Sequence, residues 1–245
     1  MTVDFAWVLL LGLVAGTVGG IVGFGTSIML MPALVMVFGP REAVPIMALA
    51  SIMANASRVA AWWREVDWRA VAAYSATGVP AAALGARTLL TLPPGVIEAV
   101  MGVFFISMIL VRRWMMARDW KLGLWHLAGA GAGVGFLTGI AVSTGPINTP
   151  FFVMYGLVKG PFLSTEAMGS LAVFLAKALT FRTMGALPLE AILKGLIIGS
   201  SITVGSFFAK RWVRQLDANR FRLLMDGLLM MAGLVMLSLA AHPKT

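Results

Sequence analysis

Apolar residues gather into ten runs along this chain, at 5–23, 27–38, 42–62, 69–90, 95–111, 122–141, 147–158, 163–184, 188–209 and 219–240, parted by short stretches rich in Gly, Pro and charge. A helix rises about 1.5 Å per residue, so about 20 apolar residues cross a hydrocarbon layer roughly 30 Å thick. The runs at 27–38 and 147–158 fall short of that length and are expected to be half-helices. The pattern predicts an all-α, polytopic transmembrane helical bundle of five plus five segments, each half holding one broken or re-entrant helix.

Each short run follows an interruption. In the first half it is Gly19-Gly20-Ile21-Val22-Gly23-Phe24-Gly25-Thr26-Ser27; in the second it is Ser143-Thr144-Gly145-Pro146-Ile147-Asn148-Thr149. Placing Pro32 on Pro150 aligns the two breaks and brings Gly39-Pro40 near Gly160-Pro161. Gly78 then falls on Gly199, and Leu92 to Met101 on Leu216 to Met225, as the offset drifts from 118 through 121 to 124. A weak internal duplication follows, with an N-terminal repeat over 1–117 and a C-terminal repeat over 118–245 forming one integrated transport unit. Basic residues cluster at Arg64–Arg69, Arg112–Lys121 and Lys210–Arg222, while 91–95 is uncharged. The positive-inside rule puts the basic stretches in the cytoplasm and both termini outside. The halves then face opposite ways, the inverted-repeat pattern of secondary transporters. Arg182, near an expected outer loop, runs against the assignment.

Composition narrows the class. Of 245 residues, 60% are hydrophobic and 12% charged, and mean hydropathy is +0.92. A water-soluble core is excluded. The net charge of +9 sits in short loops rather than on one solvated face, which argues against nucleic acid as a partner and for topology. No cysteine is present, so disulfides and thiolate metal sites are ruled out. The two histidines, His126 and His242, have no metal-ligand spacing, and no cofactor is expected. Met1-Thr2-Val3-Asp4 lacks a positive n-region, so the first run reads as a retained helix. The eight tryptophans fall at segment ends, as an interfacial belt does.

Irregular backbone at membrane depth survives only where protein buries it or a wet cavity bathes it. A half-helix starting after either break aims free N–H groups and a positive dipole end into the break. Gly23, Gly25, Thr26 and Ser27, with Ser143, Thr144, Gly145, Asn148 and Thr149, supply the flexible backbone and the hydroxyl and amide groups of a candidate anion site. Gly12, Gly16 and Gly20, and Gly131, Gly135 and Gly139, have instead the four-residue spacing of close helix packing. Ionisable residues inside spans are functional candidates. Arg58 and Lys177 lie at an offset of 119 and are expected to neutralise the anion from either half, with Asn55 on the face of Arg58. Asp226 is a candidate coupling residue, with pairing to Arg222 the plainer reading. Arg87, Lys194, Glu98 and Glu190 lie near segment ends and read as snorkelling.

Enzymatic readings find little support. The run Gly129-Ala130-Gly131-Ala132-Gly133-Val134-Gly135 has no preceding strand, and neither H-E-x-x-H nor a phosphate-binding loop occurs. Gly25-Thr26-Ser27-Ile28 loosely fits an intramembrane serine protease, but no base is placed to serve it.

Gly23-Phe24-Gly25 leading to Met31-Pro32-Ala33-Leu34, its echo from Gly145-Pro146 to Pro150-Phe151, and Val66-Asp67-Trp68-Arg69 together resemble the sulfite exporter TauE/SafE family of membrane permeases. The resemblance spans nearly the whole chain. It implies ion-coupled or proton-driven movement of a small anion, a sulfur oxyanion, sulfonate or carboxylate, across a bacterial inner membrane by alternating access. The chain departs from the family's commoner glycine runs at Phe24 and at Ser143-Thr144-Gly145-Pro146. An uncoupled anion channel or accessory membrane subunit is the alternative, and homodimerisation is left open.

Overall fold

The computed structural model describes residues 2–22, 25–118, 120–140, 145–212 and 218–241, without the side chains of 2–5, 21–22, 112, 116, 159, 207–212, 218–225 and 228. Its helices are α1 (Thr2–Val22), α2 (Thr26–Phe38), α3 (Pro40–Trp62), α4 (Trp68–Thr91), α5 (Pro94–Met116), α6 (Leu124–Ile140), α7 (Gly145–Met154), α8 (Lys159–Thr183), α9 (Leu189–Trp212) and α10 (Ala218–Ala241), with a 3-10 turn at Trp63–Glu65. Among the described residues there is no strand. The molecule is a polytopic helical membrane bundle.

Local chemistry sets several boundaries. Gly39, at φ 75°, closes α2 with its N–H on the Val35 carbonyl, and Pro40 starts α3 where its missing N–H costs no bond. Asp67 caps α4, its Oδ1 accepting from the amides of Arg69 and Ala70 at 3.0 and 3.1 Å. α5 runs five residues beyond the apolar run that predicts it, ending at Met116. Arg112 and Arg113 close the apolar run but are good helix formers, so the hydrogen-bond ladder continues through them. α7 stops at Met154, short of 158, because Gly156 turns the chain at φ 109°.

Among the described residues four segments are long and apolar enough to span a membrane: Pro40–Glu65, Pro94–Met115, Gly160–Thr183 and Leu189–Ser206. Thr26–Phe38 is shorter, as expected, and so are the apolar stretches Ala6–Gly20, Leu124–Ile140 and Leu229–Ala241. α4 has the length to span, but Arg69, Ser75, Thr77 and Arg87 dilute its apolar content.

Small residues let two helix pairs meet backbone to backbone. α4 and α6 run parallel, with Gly131 against the Tyr74 carbonyl, Gly135 against Gly78, and Gly139 against Ala82 and Gly85. Thr77 Oγ1 donates to the Ala128 carbonyl at 2.5 Å across this seam. α1 and α9 are also parallel: Gly16 lies on Ile202, Gly205 lies on Leu13, and Ser201 and Ser206 donate to the carbonyls of Leu9 and Gly16 at 2.6 and 3.1 Å. The glycine spacing predicts this close approach, in which van der Waals contact and interhelical hydrogen bonds replace the hydrophobic drive that lipid does not supply.

The principal packing pairs recur five helices on. α4 with α6 answers to α9 with α1, α3 with α9 to α8 with α4, and α2 with α10 to α7 with α5, while α3 with α8 and α5 with α10 map onto themselves. α3 packs directly against α8, and the two also meet α9 and α4.

Candidate functional site

Polar residues on α3 and α8 line the faces that meet. Ser51, Asn55 and Arg58 follow one another at helical spacing on α3, and Glu166, Ser170 and Lys177 do so on α8. Asn55 donates from Nδ2 to the Ser51 carbonyl at 2.8 Å, and its Oδ1 accepts from the Arg58 guanidinium. Arg58 Nη1 reaches across to Glu166 Oε2 at 2.9 Å. The other carboxylate oxygen, Oε1, accepts from Ser170 Oγ at 2.7 Å and from Asn148 Nδ2 at 2.9 Å. Asn148 lies on α7, in the first turn after the second break. One cation and one carboxylate thus join α3, α7 and α8.

Most of this is buried. Asn55 and Glu166 are 3% exposed and Asn148 1%, while Arg58 and Ser170 are half-buried, so the ion pair depends on its hydrogen bonds. Tyr74 and Phe152 pack beside it with ring centroids 5.3 Å apart and planes tilted by 53°, and Gly169 leaves room for the Tyr74 ring against α8. Three buried polar atoms nearby in the chain, Ser51 Oγ, Asn148 Oδ1 and Thr149 Oγ1, find no hydrogen-bond partner among the described residues. Such orphaned groups are uncommon in a packed interior and point to a ligand, water or a second arrangement.

The remaining candidates sort by position. At the first break Gly25 is buried at φ 118°, a conformation suited to glycine, and its carbonyl accepts from Met29 N at 3.0 Å as α2 begins. Thr26 Oγ1 donates to the Ala15 carbonyl at 3.2 Å, which folds α2 back on α1 over Gly19. Ser27 is half-buried. Gly145 and Pro146 open α7, where a proline loses no helical bond. Gly23, Ser143 and Thr144 lie outside the described residues.

Lys177 is fully buried, its Nζ 2.6 Å from the Thr138 carbonyl in the last turn of α6. Eleven residues separate it from Glu166, about 16 Å along α8 at 1.5 Å per residue. Asp226 accepts from Arg113 Nε and Nη2 at 3.0 and 2.6 Å, an α5 to α10 pair; the Arg222 side chain is outside the described residues. Two residues taken as snorkelling have more specific surroundings: Glu98 is buried, and Lys194 bridges Glu42 and Glu190 at 2.7 and 2.8 Å.

Glu166 and Ser170 are the residues that the sequence pattern does not single out. Glu166 falls near the start of the apolar run 163–184, where nothing in the pattern sets it apart. The helix begins at Lys159, which carries Glu166 two turns inside. The available signal is the shared face of Glu166, Ser170 and Lys177.

Apolar helices around a largely buried ion pair, with two short helices that start at breaks, define a polytopic membrane protein with a buried polar site. Residues 8–236 match the family model described as sulfite exporter TauE/SafE, and the chain belongs to that family of membrane transporters. No curated protein and no solved structure matches it.

Proposed function

We propose that the protein is a secondary transporter that carries small monovalent or divalent anions, among them sulfite, sulfonates and related organic acids, across a bacterial inner membrane by alternating access. The observation that carries this reading is Arg58: a half-buried guanidinium held by Glu166, whose other carboxylate oxygen accepts from Asn148 in the first turn of α7, where Asn148 Oδ1 and Thr149 Oγ1 find no partner among the described residues. A cation next to a helix start is a suitable counter-charge for an oxyanion, which takes the guanidinium fork and the free N–H groups together. Gly23, Gly25, Thr26, Ser27, Ser143, Thr144 and Gly145 contribute the two breaks, and Lys177 holds the end of α6 beside the second.

Two inverted repeats, 1–117 and 118–245, supply the moving parts in this reading. The recurrence of packing pairs five helices on supports it, since a pseudo-two-fold relation requires that pattern. Rocking the outer helices about the α3–α8 contact would open the site to each side in turn.

Counterflow in proteoliposomes against a panel of sulfite, thiosulfate, sulfoacetate, taurine and simple carboxylates tests the reading. At least one anion should exchange, and Arg58→Gln should slow that exchange at least tenfold. Equal rates for the variant and the unaltered protein would place the anion elsewhere. Flux that never supports accumulation under any ion gradient would favour a channel.

A further inference from the structure

The anion that Arg58 would bind has a competitor already in place. Glu166 occupies the guanidinium at 2.9 Å, its side chain 4% exposed against 13% for Arg58, so a freed carboxylate is left in a nearly closed interior. An arriving anion must displace Glu166, and two anions facing one cation at such a site leave an uncompensated charge. A proton on the displaced carboxylate removes that charge. We propose that Glu166 is the coupling residue, taking up one proton as a monovalent anion takes its place on Arg58, so that anion and proton move together and without net charge.

The exchange balances. The ion pair of Arg58 and Glu166 breaks, an ion pair of Arg58 and the anion forms, and one O–H bond forms on the Glu166 carboxyl; the site is neutral before and after. The neighbours suit both states. With Glu166 ionised, Asn148 Nδ2 and Ser170 Oγ donate to Oε1. A protonated carboxyl needs an acceptor instead. Asn148 Oδ1 is buried with no partner among the described residues, and turning the amide over presents it to the new O–H. An amide is the side chain that can answer either state by such a turn.

Other charged and titratable groups around α8 do not take this part. From α4, Tyr74 lies within electrostatic reach of Glu166. From the turn after α3, Glu65 lies over Gly160, about 9 Å along the helix from Glu166. The Asp67 carboxylate caps α4, while its N–H meets Thr165 Oγ1 at 2.9 Å. α7 carries no ionisable side chain, and α6 carries only His126, in its first turn. On α8 itself Lys177 is three turns away on the Thr138 carbonyl, and Arg182 lies in the last turn beside the Leu187 carbonyl.

This inference rests on the transport reading above, and the test separates the two. Methanesulfonate is the probe, because it keeps its single negative charge at every relevant pH and brings no proton of its own. In proteoliposomes the unaltered protein should show methanesulfonate counterflow, move one proton inward per anion, ignore an imposed membrane potential, and accumulate the anion about tenfold per unit of pH gradient, the ratio that one coupled proton sets. Glu166→Gln keeps one oxygen to accept from Asn148 Nδ2 and Ser170 Oγ, but it gives up the ion pair with Arg58 and cannot exchange a proton. It should retain counterflow while its accumulation ratio stays near one. Absence of counterflow in the unaltered protein would overturn the transport reading and the coupling with it. Counterflow with pH-driven accumulation intact in Glu166→Gln would overturn the coupling alone.

Binding in detergent gives an independent readout. Calorimetry in two buffers of different ionisation enthalpy should count one proton taken up per methanesulfonate bound by the unaltered protein and none by Glu166→Gln, which should bind at least as tightly because the competing charge is gone. Equal proton uptake by both, or a monodisperse Glu166→Gln protein that binds no methanesulfonate, would overturn the proposal.

Discussion

The ammonium of Lys177 lies 2.6 Å from the carbonyl oxygen of Thr138, and the Phe181 ring centroid is 5.5 Å away. Thr138 stands two residues before α6 ends at the second break. The last carbonyls of a helix lack intrahelical partners and carry its partial negative charge. A buried cation at this point therefore anchors the end of α6 and, through it, the start of α7.

Lys177→Met keeps the length of the side chain and removes the charge. The lost charge-assisted hydrogen bond is worth about 1.5–3 kcal/mol. Thermal unfolding followed by tryptophan fluorescence in detergent should show a lower midpoint for the variant, and counterflow should fall with it. An unchanged midpoint would mean that the ammonium adds nothing to the end of α6.

Glycines on α6 divide sharply by face. A Cβ on Gly135 would lie 2.5 Å from the Gly78 carbonyl and one on Gly139 2.5 Å from the Ala82 carbonyl, whereas Gly129 and Gly133 have nothing within 4 Å. Gly135→Ala should push α4 away and cost about 1–3 kcal/mol, the usual penalty of overpacking. Gly133→Ala should be neutral or stabilise the helix by up to about 1 kcal/mol. The two thermal midpoints, measured side by side, check the seam. Equal midpoints would contradict it.

Much of the helix layout is legible in the sequence, because lipid imposes one period and one length on every span. The short α2 and α7 are foreseen from Gly25 and from Gly145-Pro146, and close helix packing from the spacing of Gly12, Gly16 and Gly20 and of Gly131, Gly135 and Gly139, though neither the partner helices nor their direction. Side-chain pairing is not legible in the same way. Arg58 can be recognised as a costly charge within a span, but its partner stands 108 positions away, and only the α3–α8 contact brings Glu166 to it. The same holds for Asp226. A partner on its own helix turn is the local expectation, while Arg113 comes from α5, 113 positions earlier. Local periodicity fixes which face a residue occupies, and tertiary packing decides what that face meets.

Asp67 makes two connections at the turn between α3 and α4. Its carboxylate caps α4, and its N–H donates to Thr165 Oγ1 at 2.9 Å, next to Glu166. Asp67→Ala should lose the cap, at about 0.5–2 kcal/mol, and Asp67→Ser should recover most of it. Counterflow rate should follow the same order, because a frayed start of α4 loosens the support of Glu166. An alanine variant as stable and as active as the unaltered protein would show that the cap is dispensable.

Asp226 is, among the described residues, another buried carboxylate that joins two helices through an arginine, and it offers a control for Glu166. Both of its bonds to Arg113 end on Oδ2, and the arginine side chain is 57% exposed. The cation therefore opens to the surface of the bundle, and no orphaned polar atom is found beside the carboxylate among the described residues. A pair placed this way ties α5 to α10 without needing to exchange a proton for an anion. Asp226→Asn should lower the thermal midpoint modestly, since a partly solvated pair contributes little. It should leave pH-driven accumulation of methanesulfonate at about tenfold per unit, and reversing both charges, with Arg113→Asp and Asp226→Arg together, should recover stability lost by either change alone. If Asp226→Asn kept counterflow but lost its response to the pH gradient while Glu166→Gln kept that response, the coupling carboxylate would be on α10 and not at the α3–α8 contact.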